Sequence, residues 1–335
     1  MRRHRTAAGI LLAVGALLTG GLVQAGAADA APAATTPGPT AVAHTASAAQ
    51  QHRARAFWTA ERMRSATPFD PPAIRQAAKT LGPPRAHGGT TTVAPTSAPA
   101  AASAAALASF PQAGGPWAGG GAVVTTSGRV FFTFQGRTAS CTGNAVTSQN
   151  ASTVVTAGHC VKYQGSWHTN WVFVPAYADG NAPYGQWTGS TTLTTPQWEA
   201  SEDINYDVGA AVVAPLNGRT LTSVVGAQGI QFNGGYNKPM YSFGFPAAAP
   251  YDGTKLVYCS GNSSKDFLFS QDHGLGCNMT GGSSGGPWFT GFDEATGKGL
   301  QVSVNSFGYT FLPNRMFGPY FGDVIKALYD KAQAV

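Results

Sequence analysis

Thr280-Gly-Gly-Ser-Ser-Gly-Gly-Pro-Trp288 decides the reading of this chain. A run of glycines and serines gives a core nothing to pack. It does let the backbone turn tightly and aim several N–H groups at one point. A serine hydroxyl is a weak nucleophile by itself. It needs a base, a group to orient that base, and donors for the oxyanion that develops. Ser284, which its glycine neighbours leave accessible, is the candidate nucleophile; the competing reading of the stretch is a flexible surface turn.

Chain order narrows the choice. Gly282-x-Ser284-x-Gly286 also fits the nucleophile elbow of α/β-hydrolases, but that fold needs a histidine after the serine and none follows His273. A subtilisin-type order needs an acid before the histidine, and before His159 stand only Asp29, Glu61 and Asp70, all in low-complexity sequence. His, then Asp, then Ser remains. His159 lies in Thr156-Ala-Gly-His-Cys160, just after a β-type run, where small residues let the imidazole face an open cleft. His168, between Trp167 and Thr169, reads as a surface or core-edge residue, and His273 as part of a polar turn. Asp207 opens Asp207-Val-Gly-Ala-Ala-Val-Val213, apolar and small enough for an inner strand. Its carboxylate should be rigid and partly buried, as an orienting acid must be. Asp203, Glu202 and Glu199 fall in the polar loop before it, and Asp179 in a turn.

Outward from these motifs, residues 117–335 alternate short β-type runs with Gly, Pro, Asn and Asp, the texture of a sandwich or barrels. Runs are expected at 129–134, 145–147, 153–156, 171–174, 208–213, 240–243, 255–258, 267–269 and 300–304, and a closing helix carries Phe321, Val324, Ile325, Leu328 and Tyr329. Residues 1–30 read as an export signal: a basic start, an apolar stretch too short to span a bilayer, and small-x-small cleavage sites. Residues 31–116, rich in Ala, Pro, Thr and Ser, read as a propeptide or low-complexity linker, with short basic helices at 51–63 and 72–81.

The net charge of +6 belongs to the N-terminal third. Residues 117–335 carry 11 Lys and Arg against 12 Asp and Glu, which gives no basic surface for nucleic acid. Four cysteines, all within 141–277, suit an oxidising compartment. They permit three pairings, and no Cys-x-x-Cys or His-x-x-x-His spacing points to a metal site.

Thr156-Ala-Gly-His-Cys, Asp207-Val-Gly-Ala-Ala-Val-Val and Gly282-Ser-Ser-Gly-Gly-Pro, in this order, resemble the chymotrypsin-like (trypsin-fold) serine peptidases, in the secreted bacterial and fungal branch near the glutamyl endopeptidases. The resemblance covers residues 117–335. It implies an all-β fold of two six-stranded antiparallel barrels with a C-terminal helix, and a catalytic triad of His159, Asp207 and Ser284 between the barrels. It also implies an oxyanion hole from the Gly282 and Ser284 N–H groups, and disulfides Cys141–Cys160 and Cys259–Cys277. The substrate pocket would be lined by Asn278, Met279, Asn305, Ser306, Phe307 and Gly308. Departures matter too. Animal digestive relatives carry an aspartate before the nucleophile, which pairs with a freed N-terminal amine; Ser283 stands there. Glutamyl-specific relatives carry a histidine where this chain has Asn305, and no Asp marks a trypsin-like pocket.

The expected protein is thus a secreted, monomeric serine endopeptidase acting on protein or peptide substrates, with its own N-terminal prosegment as a partner. It would use no cofactor, bind no nucleic acid, and have no stable membrane association after signal cleavage. Calcium occurs in the family, but no acidic cluster here marks a site. The alternatives are a catalytically inactive homologue serving as a secreted binding protein, and an esterase on the same scaffold.

Overall fold

Strand Ser127–Phe134 is buried on both faces, and that fact organises the first half of the molecule. Val130, Phe132 and Phe134 point into a barrel core, while Phe131 packs outward with Trp58 and Val172. The computed structural model describes residues 40–70, 88–96 and 109–335; the expected export signal and the helix at 72–81 lie outside them. Six strands close the first barrel: Ser127–Phe134, Arg137–Ala145, Thr153–Thr156, Gly209–Val213, Trp187–Thr194 and Thr169–Pro175. Every neighbouring pair around this ring is antiparallel.

The second half consists of a seven-stranded sheet and a three-stranded sheet. The larger runs Thr91–Val93, Gly229–Phe232, Lys298–Val304, Pro287–Asp293, Pro239–Gly244, Val257–Asn262 and Gln112–Pro116. One pair in it is parallel, Gly229–Phe232 with Lys298–Val304. The smaller sheet joins Ser264–Lys265, His273–Gly276 and Arg315–Gly318. Helix Asp323–Gln333 closes the chain, with Ile325, Leu328 and Tyr329 buried in the first barrel's core cluster. This is the two-barrel, chymotrypsin-like fold with a C-terminal helix.

One expectation needs revision. The run at 267–269 is a bend, because Asp266 accepts hydrogen bonds from Leu268 N, Ser270 N and Ser270 Oγ and curls the chain around itself. Ordered elements also precede residue 117. Gln112–Pro116 and Thr91–Val93 are strands of the second half, and residues 40–70 dock on the first barrel. There Val42–Thr45 pairs with Trp187–Thr194. Helix Ala48–Phe57 starts at a capping box of Ser47 and Gln50, and helix Ala60–Ser65 starts at the Thr59 cap. Trp58, 2% exposed, packs on Phe131 and donates its indole N–H to Asn170 O at 2.6 Å. Burying that ring stabilises the docked arm by roughly 3 kcal/mol.

Candidate active site

The histidine side of the cleft is built by side chains. Strand Thr153–Thr156 ends in the 3-10 turn Gly158–Cys160, and Cys160 is bonded to Cys141 of the adjacent strand Arg137–Ala145. Asp207, fully buried just before strand Gly209–Val213, accepts from His159 N at 2.8 Å through Oδ1 and from His159 Nδ1 at 2.7 Å through Oδ2. Ser306 Oγ donates to the same Oδ2 at 2.5 Å. Gly158 permits this approach: a Cβ there would lie 2.9 Å from Asp207 Oδ1 and from Trp198. A carboxylate only accepts, so the proton of a neutral His159 sits on Nδ1. Nε2 is left with its lone pair, buried and without a partner among the described residues.

His168 completes that side. It is 3% exposed, stacks on Phe132 with ring centroids 4.1 Å apart, and donates from Nε2 to His159 O at 2.8 Å. Burial pushes its imidazole down to about 3, against the opposing pull of the His159 carbonyl. It is therefore a neutral brace, not the edge residue its neighbours suggested. His273 likewise opens a strand instead of a turn, and burial lowers it to about 3.

The Ser284 side is held largely through its own backbone. Ser284 O accepts from Thr142 N at 2.8 Å, Gly282 O from Thr142 Oγ1 at 2.9 Å, and Gly285 N donates to Asn305 O at 2.7 Å. A Cβ on Gly285 would lie 2.1 Å from Thr156 Oγ1, and one on Gly286 2.0 Å from Phe243 O. Neither the Gly282 nor the Ser284 N–H is taken by a backbone carbonyl among the described residues, which leaves both as donors. Ser283, in place of the aspartate of animal relatives, donates from Oγ to Thr280 O at 2.7 Å within the loop.

Ser284 forms part of the wall of a cavity of about 240 Å³ that Asn278, Met279, Ser306, Phe307 and Gly308 also line. Asn305 does not line it. Its carboxamide braces the loop that carries Ser284, accepting from Ser242 Oγ and Trp288 Nε1 and donating to Phe243 O and Ser283 O. The disulfides are Cys141–Cys160 and Cys259–Cys277, the pairs the resemblance implies.

Two further residues enter the cleft from the N-terminal arm. Phe69 lies with its ring centroid 6.0 Å from that of His159, and Asp70 lines the cavity beside Ser284. Asp70 is open to solvent on one side, yet loss of water on its inner side draws its carboxyl upward, opposed by the charge His159 carries when protonated. Nothing local in Thr67-Pro-Phe-Asp70 marks these residues as part of a site.

No family model matches the sequence. Among solved structures, the protease Anisep from Arthrobacter nicotinovorans aligns with a TM-score of 0.60 at 46% identity, over 63% of this chain and 96% of that one. A thermostable serine protease, AL20, from an extremophilic microorganism aligns with a TM-score of 0.60 at 40% identity, over 64% and 99%. A Glu endopeptidase shares the fold at 16% identity, with a TM-score of 0.54 over 68% and 99%. Among curated proteins, an extracellular metalloprotease of Bacillus subtilis strain 168 is 38% identical over 82 residues, so the match spans 24% of this chain and 25% of that protein. Fold and likeness together establish that the chain belongs to the chymotrypsin-like serine peptidases.

The name of the Bacillus relative raises a metal. Among the described residues, Cys141, His159 and Cys160 form a cluster of potential ligands. Both sulfurs are tied in a disulfide and His159 Nδ1 is held by Asp207, so the donor set does not suit a metal ion.

Proposed function

We propose that this protein is a secreted, monomeric serine endopeptidase, made as a latent precursor with an N-terminal prosegment, that hydrolyses peptide bonds in protein or peptide substrates. The observation that carries the reading is the doubly anchored imidazole: Asp207 holds His159 by backbone and ring, and Nε2 keeps a free lone pair. In this reading His159 Nε2 takes the Ser284 hydroxyl proton as Oγ attacks the scissile carbonyl. The Gly282 and Ser284 N–H groups receive the oxyanion, a contribution of about 10²- to 10³-fold for each such donor. Imidazolium then gives its proton to the leaving amine, and water releases the acyl group from Ser284 by the same route in reverse. Asp207 stays ionised and stabilises the imidazolium. The two disulfides support export to an oxidising compartment.

Casein hydrolysis by the secreted protein, compared with Ser284→Ala, tests this reading. The wild type should degrade casein and the variant should not. Equal degradation would remove Ser284 as nucleophile, and none by either, after the arm is cut away, would favour a non-catalytic binding protein. Rates on matched ester and amide substrates separate a peptidase from an esterase.

A further inference from the structure

The N-terminal arm does more than cover the first barrel. Thr67 and Pro68 pair in parallel with Ala139 and Ser140, and Phe69 N donates to Ser140 O at 2.9 Å, one residue from Cys141 and its bridge to the histidine turn. The Phe69 ring drops into a recess walled by Phe132, Phe134, Tyr163 and His168, with centroids 5.3 to 5.7 Å away. Asp70 then settles on the nucleophile loop: a Cβ on Gly281 would lie 2.9 Å from Asp70 Cβ. Four residues thus cross the cleft from the histidine side to the serine side.

The chemistry fixes what the recess faces. A general acid hands its proton to the departing amine, so the leaving group lies on the histidine's side of Ser284. The cavity of Asn278, Met279 and Phe307 shares Ser284 and Asp70 with the cleft but none of the recess's aromatic walls, and is left for the acyl portion. The recess around Phe69 touches His159, and its walls are aromatic, with His168 kept uncharged by burial. Such walls suit the edge-to-face packing of an aromatic ring, at centroid distances of about 4.5 to 7 Å.

We propose that this recess is a substrate subsite for an aromatic side chain on the leaving-group side of the scissile bond, and that the intact chain holds its own cleft shut by seating Phe69 there. The proposal rests on the peptidase reading above. It assigns the prosegment's effect to one side chain and gives the trimmed enzyme a preference on the leaving-group side.

The test uses the full chain, uncleaved by intact mass, and the rate at which a fluorophosphonate modifies Ser284. Phe69→Ala should react faster than wild type by about tenfold or more, the worth of burying one apolar ring. Phe69→Tyr, which keeps the ring, should stay within about twofold of wild type. On the Phe69→Ala chain, added acetyl-Thr-Pro-Phe-Asp-amide should slow labelling, and the peptide with Ala for Phe should not. Equal rates for wild type and Phe69→Ala would overturn the closure. Equal competition by the two peptides would overturn the aromatic preference. Failure of Ser284 to react in every folded variant would overturn the peptidase reading, and this proposal with it.

Discussion

The two walls of the cleft are rigid for opposite reasons. On the histidine wall, side chains do the holding: the Asp207 carboxylate, the His168 imidazole and the Cys141–Cys160 bridge all converge on one turn. On the serine wall, glycines whose Cβ atoms would strike Thr156 Oγ1 and Phe243 O let backbone amides and carbonyls lock the loop. In the proposed mechanism His159 carries and passes a proton, and the neighbour it is given is a carboxylate. The proposed nucleophile and its N–H donors are presented instead by a glycine-rich loop that packs closely on its neighbours and that Thr142 Oγ1 and Asn305 Nδ2 also brace. Substitutions on the first wall should therefore cost rate, and on the second, the fold itself.

The largest expected effect breaks the first wall. Asp207→Asn keeps the shape but favours the wrong imidazole tautomer, and kcat should fall by about four orders of magnitude. Far-ultraviolet circular dichroism and the urea midpoint should change little. A loss of less than tenfold, by casein or peptide hydrolysis, would mean that Asp207 does not set the tautomer. Gly286→Ala attacks the second wall. Its methyl would meet Phe243 O at 2.0 Å and Asn305 Nδ2 at 2.7 Å, and overpacking of this kind costs about 3 kcal/mol. The urea midpoint should drop along with activity; an unchanged midpoint would show that the loop can shift freely.

A third prediction concerns pH. His168 and His273 have imidazoles lowered by burial to about 3. Between that value and an unfolded value of about 6.5, the unfolded chain binds protons that the native chain refuses. Their contribution is present above pH ~6.5 and lost as pH falls toward 3, at roughly 1.4 kcal/mol per pH unit for each histidine. Urea midpoints from pH 7 to 4 should fall, and His168→Phe, which keeps the stack on Phe132, should make the fall shallower. An identical slope in the variant would mean that His168 is protonated in the native state.

The parts of the proposed site that depend on residue order are legible in the sequence. His159, Asp207 and Ser284 could be sorted because a serine mechanism needs them in a limited set of orders, and the glycines around Ser284 advertised a loop that presents donors. Asn305 was misplaced because its role depends on four partners, Ser242, Phe243, Ser283 and Trp288, all at least 17 residues away in sequence. Strands such as Trp187–Thr194 were hidden by their threonines, which are buried here on a barrel wall. The docked arm was least legible. Ala48–Phe57 has a weak apolar face and gains its order from Trp58, Met63 and Phe69 inserting into a surface made elsewhere in the chain.

The most direct test of the account is to treat the secreted protein to completion with a fluorophosphonate and locate the adduct by mass spectrometry, beside His159→Ala. One adduct is expected, on Ser284, in the wild type and none in the variant. An adduct on another residue, or equal labelling of Ser284 without His159, would contradict it.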